Sequence, residues 1–327
     1  MRAKRLSVVI PTYNRRPRLE RVLLALERQT TPVSEFELVV VDDGSSDGTT
    51  EWLRERTPPF ALCALRQDNA GPARARNAGV AAARGEVILF IDDDVEPIPE
   101  LVAEHLRMHA AEPNIVVIGP LASLPYYDQP WVAWEQAKVE AQYRAMERGE
   151  WAPSFRQFWT GNASVARQHI IDAGGFDPSF LRAEDVELGV RLMERGLCFR
   201  FNPAARGLHF AERTLSAWER VHVSYGRAEV EIFEKLGEAE LLRNLTGNWH
   251  RLNPATRWLV RSCLGHPGRH SAACALLRSH LQLAKQLKVR MLSEQVCSVF
   301  ANLLYWEASV EALGPSRAAV VVGGAAK

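Results

Sequence analysis

The chain has 327 residues, 47% hydrophobic and 24% charged, enough to bury a substantial core in one large domain or two small ones and too apolar for a disordered chain. No apolar run approaches the roughly 18 residues that a membrane-spanning helix needs, and the run after the basic Met1–Arg5 stops at Pro11, so neither a span nor a cleavable export signal is expected. Five irregularly spaced cysteines without a CxxC pair exclude a disulfide framework and a zinc knot, and predict a cytoplasmic protein.

The net charge of +1 hides an asymmetry. Leu241–Ser293 holds no Asp or Glu but carries Arg243, Arg251, Arg257, Arg261, Arg269, Arg278, Lys285, Lys288 and Arg290, hence +9, whereas the first 240 residues carry −7. The acidic front is suited to cations and the basic back to anions.

In chain order, Leu6–Ile10, Glu37–Val41, Ala61–Arg66, Glu86–Ile91 and Asn114–Ile118 are continuous apolar runs, the pattern of strands buried on both faces. Between them, Arg15–Gln29, Gly48–Arg56, Pro72–Ala83 and Pro99–Ala111 place apolar residues at helical spacing, as in Leu19, Val22, Leu23 and Leu26. The alternation predicts an α/β fold with a doubly wound, mostly parallel sheet flanked by helices, its ligands lying outside the carboxyl ends of the strands. Leu121–Thr160 is aromatic and irregular around a helix at Val132–Glu147. A helix at Ala183–Arg195 and strands at Leu197–Phe201 and Arg206–Phe210 follow. From about Thr214 the chain reads as helices broken near Gly237, Pro254, Gly265–Gly268 and Gly314, with a frayed tail over Val320–Lys327. The expected organisation is a sheet domain over 1–212 followed by a basic helical extension over 213–327.

The acids fall where such a sheet presents ligands. Glu37–Val41 runs into Asp42-Asp43-Gly44-Ser45, and Glu86–Ile91 into Asp92-Asp93-Asp94. Adjacent carboxylates repel one another unless something positive binds, and hard cations such as Mg²⁺ or Mn²⁺ suit carboxylate oxygens while leaving positions open for phosphates. Either cluster alone reads equally well as turn chemistry; two at consecutive sheet exits favour the cation. Gly71-Pro72 opens a helix whose first turns carry Arg74 and Arg76, an arrangement suited to a phosphate but common on solvated faces.

Seven motifs then stand in one order: Ser7–Asn14 (SVVIPTYN), Val39–Thr49 (VVVDDGSSDGT), Ala75–Gly79 (ARNAG), Ile91–Asp94, Gly161-Asn162 with Ser164, Gly174–Asp177 (GGFD) and Glu184-Asp185. Over roughly 6–212 the chain resembles the inverting glycosyltransferases of family 2, which have the GT-A fold. The resemblance implies a nucleotide-sugar-binding half over 1–120 and an acceptor-binding half over 121–212. It implies that Tyr13 and Asp43 hold the nucleotide base, that Pro11 and Thr12 shape its pocket, that Arg76, Asp92 and Asp93 contact the donor, and that Asp94 and His209 bind Mn²⁺ or Mg²⁺. It further implies Asp185 as the general base, with Glu184, Gly161 and Asn162 at the acceptor; of the aromatic stretch, Trp159, just before Gly161-Asn162, is expected at the acceptor as well.

The chemistry is consistent with that set: direct displacement needs a base on one face of the sugar and stabilisation of the departing diphosphate on the other. A Gln-x-x-Arg-Trp element followed by spans marks processive members; here Pro254-Ala-Thr-Arg-Trp258 lacks the glutamine, so transfer of a single sugar is expected. The acceptor is expected to be a sugar, a lipid-linked species or another hydroxyl-bearing molecule. The basic extension, with Trp249, Trp258, Leu276 and Leu287, suits either an anionic membrane surface or packing on the catalytic domain or a second subunit; no nucleic-acid module is visible. Two rival readings stay open: a nucleotidyltransferase acting on sugar phosphates, and a non-catalytic sugar-nucleotide-binding scaffold.

Overall fold

The computed structural model describes residues 5–180, 182–287 and 291–323; Lys288, Arg290 and the last four residues of the expected frayed tail lie outside them. In chain order the elements begin β1 (Leu6–Thr12), α1 (Arg16–Leu26), β2 (Phe36–Asp42), α2 (Thr49–Arg54), β3 (Ala61–Arg66), α3 (Pro72–Ala82), β4 (Val87–Ile91), β5 (Val95–Pro97), α4 (Leu101–Ala111), β6 (Ile115–Ile118) and β7 (Leu121–Ser123). They continue with α5 (Pro130–Glu147), a 3₁₀ turn (Phe155–Gln157), β8 (Asn162–Ala166), α6 (Arg167–Asp172), α7 (Glu184–Glu194), β9 (Cys198–Phe201) and β10 (Gly207–His209). The helices α8 (Leu215–Lys235), α9 (Glu238–Arg251), α10 (Pro254–Cys263), α11 (Pro267–Leu287) and α12 (Met291–Val322) close the chain.

Among the described residues the main sheet has seven strands in the order β3-β2-β1-β4-β8-β6-β9. Its pairs are parallel except where β8 runs antiparallel to β4 and β6. The apolar runs of β1, β2, β4 and β6 are buried on both faces because helices cover them. Leu19, Val22, Leu23 and Leu26 of α1 join that core. Helix α3 lies so close to β1 that a Cβ on Gly79 would come within 2.4 Å of Val9 Cγ1, which is why a glycine stands there. A second, small sheet runs β5-β10-β7, with β10 antiparallel to β5 and parallel to β7.

The chain divides into two compact units, one of residues 1–125 and 137–211, the other of 126–136 and 212–327. Residues 126–136, expected with the acceptor half, group instead with the carboxyl-terminal helices, and their side chains explain why. Trp131 Nε1 donates to Arg213 O at 2.7 Å, Glu135 pairs with Arg213 at 3.0 Å, and the Trp134 ring meets Trp218 edge-on at 6.1 Å. Within that unit Trp218, Trp249, Phe300 and Trp306 are fully buried. Helix α10 starts on a cap in which Asn253 accepts from Thr256 N, with Pro254 in the first turn. Helix α12 breaks at Gly314, where φ is 72°.

Candidate active site

All the expected site residues belong to the first unit. β1 delivers Pro11, Thr12 and an exposed Tyr13 to the end of the sheet. Asn14, in a left-handed conformation (φ 52°), pins the loop after β1 to the loop after β2: its N–H donates to Ser45 Oγ, and its Oδ1 accepts from Ser46 N, both at 2.8 Å. Asp43, at the exit of β2, accepts from Gln67 Nε2 (2.7 Å), Ala70 N and Gly71 N (both 2.9 Å). Three of about four lone-pair sites are thus committed to the loop that opens α3. Asp42, one residue earlier, is fully buried and braced by Ser45 N and Arg66.

The three acids after β4 diverge. Asp92 keeps the most solvent exposure. Asp93 turns inward, accepting from Thr12 Oγ1 (2.8 Å) and Arg15 Nη1 (3.0 Å). Burial pushes its carboxyl up to about 6 against the pull of Arg15. Asp93, expected to contact the donor, ties the end of β1 and the loop after it to the turn after β4. Asp94 receives Arg15 at 3.1 Å and Arg18 at 3.5 Å. The pairing of β10 with β5 sets His209 opposite Val95, and Phe210 N donates to Asp94 O at 2.8 Å. In consequence His209 Nε2 lies 3.7 Å from Asp94 Oδ1.

Arg76, expected at the donor, is buried as a bridge. Its Nη2 donates to Asp92 Oδ1 at 2.9 Å and its Nη1 to Glu184 Oε1 at 2.6 Å, while its Nε is buried without an acceptor. Glu184, expected at the acceptor, is likewise buried in that pair. The next residue, Asp185, is half-buried at the start of α7 and accepts from Thr160 N at 3.2 Å and Val186 N at 2.8 Å. Burial first and the Glu184 carboxylate second push Asp185 up to about 7, with Arg76 and the two backbone N–H groups pulling the other way.

The segment 159–162 closes the ring of contacts. Trp159 is half-buried, its ring edge-on to Tyr143 at 6.0 Å. Gly161 faces Asp92 so closely that a Cβ there would stand 3.2 Å from Asp92 Oδ2 and from Leu121 Cδ1. Asn162, expected at the acceptor, is a buried brace: its Nδ2 donates to Pro120 O (3.1 Å) and Ala205 O (2.8 Å). Its Oδ1 must then accept from His105 Nε2 (3.0 Å), which leaves His105 Nδ1 to accept from Ser164 Oγ (2.7 Å) and Ser164 Oγ to accept from His109 Nε2 (2.8 Å). Burial holds both imidazoles neutral, each near 4. Ser164→Ala breaks this chain at its centre and leaves two buried ring nitrogens unpartnered. An expected loss of about 1–3 kcal/mol is readable as a lower denaturation midpoint.

Sequence reasoning did not find Arg15, Thr160, His105 or His109. Arg15 reads as part of a solvated basic run with Arg16 and Arg18, and the histidines of α4 fall on no motif.

Five carboxylates (Asp92, Asp93, Asp94, Glu184 and Asp185) gather with three guanidiniums (Arg15, Arg18 and Arg76), a balance that favours a further cation before any phosphate can enter. Among the described residues no three His, Cys, Asp or Glu side chains converge closely enough to hold an ion unaided. Asp94 and His209 do offer one carboxylate and one imidazole side by side. That donor set fits an ion completing its shell with phosphate oxygens and water.

Comparisons with known proteins agree with this architecture. The uncharacterized glycosyltransferase YfnE of Bacillus subtilis is 32% identical over 252 residues, covering 62% of this chain and 64% of its own length. A validoxylamine A glucosyltransferase of Streptomyces hygroscopicus is 34% identical over 219 residues, covering 59% and 52%. The chain thus spans about half to two thirds of the length of these curated relatives. Among solved structures, the mannosyltransferase PcManGT of Pyrobaculum calidifontis, in complex with GDP-Man and Mn²⁺, superposes with a TM-score of 0.63 at 22% identity, over 95% of this chain and 87% of that one. That likeness extends to the fold, of GT-A type. The family model for glycosyl transferase family 2 matches residues 7–172, just over half of the chain, from the first strand through the acids after β4 to the strand beyond Gly161. On that match the chain belongs to glycosyl transferase family 2.

Proposed function

We propose that the protein transfers one sugar from a nucleotide-diphospho-sugar to an acceptor hydroxyl, by a single displacement that inverts the anomeric carbon. Asp185 is the general base. The acceptor oxygen attacks the anomeric carbon and its proton passes to the Asp185 carboxylate; the bond from that carbon to the diphosphate oxygen breaks, and the nucleoside diphosphate departs with the electron pair. Tyr13, Asp43 and the backbone of Pro11–Thr12 hold the base, and Asp92 meets the ribose. Trp159, on the segment that carries Thr160 to Asp185, offers its ring to the acceptor. Asp94 and His209 would hold Mn²⁺ or Mg²⁺, which supplies Lewis-acid stabilisation for the leaving diphosphate when bound. The acceptor class includes sugars and lipid-linked hydroxyl compounds, and the missing glutamine before Arg257-Trp258 favours one transfer per encounter.

The observation that carries the reading is the buried bridge Asp92–Arg76–Glu184, which fastens the acid cluster after β4 to the residue next to Asp185. A donor held at one end and a base at the other are what displacement requires. Product analysis is the test: release of a nucleoside diphosphate and an inverted glycoside supports transfer, whereas release of pyrophosphate means nucleotidyl transfer instead. Within this reading Gly161→Ala crowds Asp92 Oδ2 and Leu121, which must give by a few tenths of an ångström to admit the methyl group. The expected effect is a donor KM raised about tenfold with a smaller change in kcat, measured by initial rates.

A further inference from the structure

We propose that the solvent face of α11 is a docking surface for an anionic lipid membrane. At 100° per residue, Leu276, Leu283 and Leu287 fall within about 40° of one another along one line of the helix, and they are 72%, 54% and 63% exposed. Arg269 lies on the same line and is exposed. On α10, Trp258 is 71% exposed. The opposite face of α11 is satisfied within its own unit: Leu281 and Ala284 are buried, Arg278 pairs with Glu219 at 2.6 Å, and Lys285 lies 3.6 Å from Asp128. The helix therefore has one face bonded into its bundle and one face of large apolar side chains with nothing among the described residues over it.

Charge selects the occupant. No acid occurs anywhere in Leu241–Ser293. Arg251, Arg257, Arg261 and Arg269 ion-pair with no carboxylate among the described residues, unlike Arg243, Arg278 and Lys285. Exposed leucines and a tryptophan in a stretch of chain whose arginines meet no acid match the boundary between acyl chains and anionic headgroups. A second copy docking through the same face would bring two like-charged surfaces together. Among the described residues no helix is long and apolar enough to cross a membrane, so α11 lies on the surface instead of spanning it. This inference does not rest on the transfer reading, and its test does not use it.

Full-length protein is sedimented with vesicles of phosphatidylcholine alone and of phosphatidylcholine mixed with phosphatidylglycerol. Binding is expected to the anionic vesicles, to weaken with added salt, and to fall about tenfold or more in the L276Q/L283Q variant, whose circular dichroism and melting temperature stay unchanged because both side chains are exposed. R257Q/R269Q is expected to lose affinity at low salt only. No binding to anionic vesicles, equal binding to the neutral ones, or equal binding by L276Q/L283Q would overturn the proposal. So would a dimer of the unmodified chain that L276Q/L283Q dissociates, since the face would then belong to a second copy.

Discussion

Asp185→Asn is expected to lower the transfer rate by about 10²–10⁴-fold while donor affinity, measured by calorimetry, stays within a few-fold of the unmodified chain. The amide has the same shape and keeps one acceptor oxygen for Thr160 N, giving up the bond from Val186 N, so the fold is kept while the proposed proton acceptor is lost. Two pH effects follow from the same residue. Asp185 must be ionised to act as base, so kcat/KM should fall with unit slope as pH drops through a value near 7, well above the ordinary carboxylate range. The stability effect has the opposite sense. Because the folded-state pKa is raised above the unfolded value of about 3.9, the native state binds this proton more tightly, and stability is lost as pH rises from about 4 through 7. Asp185→Asn escapes that loss. Thermal scans should find the variant more stable than the unmodified chain above pH 7 and equal to it near pH 4, an inactive enzyme that folds better.

The largest effect on stability is expected at Arg76. Arg76→Met removes a buried guanidinium and leaves the buried Glu184 carboxylate without its partner, while the partly exposed Asp92 can turn to solvent. Breaking a buried pair in this way costs about 3–5 kcal/mol, to be read from urea midpoints. Arg76→Lys recovers little, because a single ammonium cannot reproduce the two-pronged contact to acids on different elements. Adding Glu184→Leu to Arg76→Met removes one stranded charge and should restore part of the loss, giving a coupling energy well above the scatter of independent sites. If the single variant lost less than about 1 kcal/mol, the bridge would not be holding the two halves of the site together.

Much of the fold was legible because its strands are unambiguous. The runs at Leu6–Ile10, Glu37–Val41 and Ala61–Arg66 lie within or coincide with β1, β2 and β3, and Pro72 marks the start of α3. β8 was not legible: Asn162–Ala166 is short, and its antiparallel place between β4 and β6 is a matter of tertiary pairing that no local pattern encodes. The same limit governs the site. The acid clusters announced themselves at strand exits, but neighbours such as Arg15 and Thr160 did not. The direction in which a helix turns a given side chain was harder to read: Arg74 is exposed and Arg76 buried, though both stand in the first turns of α3. Asn162 follows a motif glycine and looked like a ligand contact, yet its amide closes a hydrogen-bond chain with His105, which lies 57 positions away in sequence. Residues that act through partners brought together only by folding leave little trace in spacing.

The most direct test of the convergence of donor acids and base is a crystal structure of the protein with a nucleoside diphosphate and Mn²⁺. The account predicts the ion on Asp94 and His209, the nucleotide base against Tyr13 and Asp43, and the diphosphate ending in a crevice onto which Asp185 opens. An ion held elsewhere, or a diphosphate separated from Asp185 by packed protein, would contradict it.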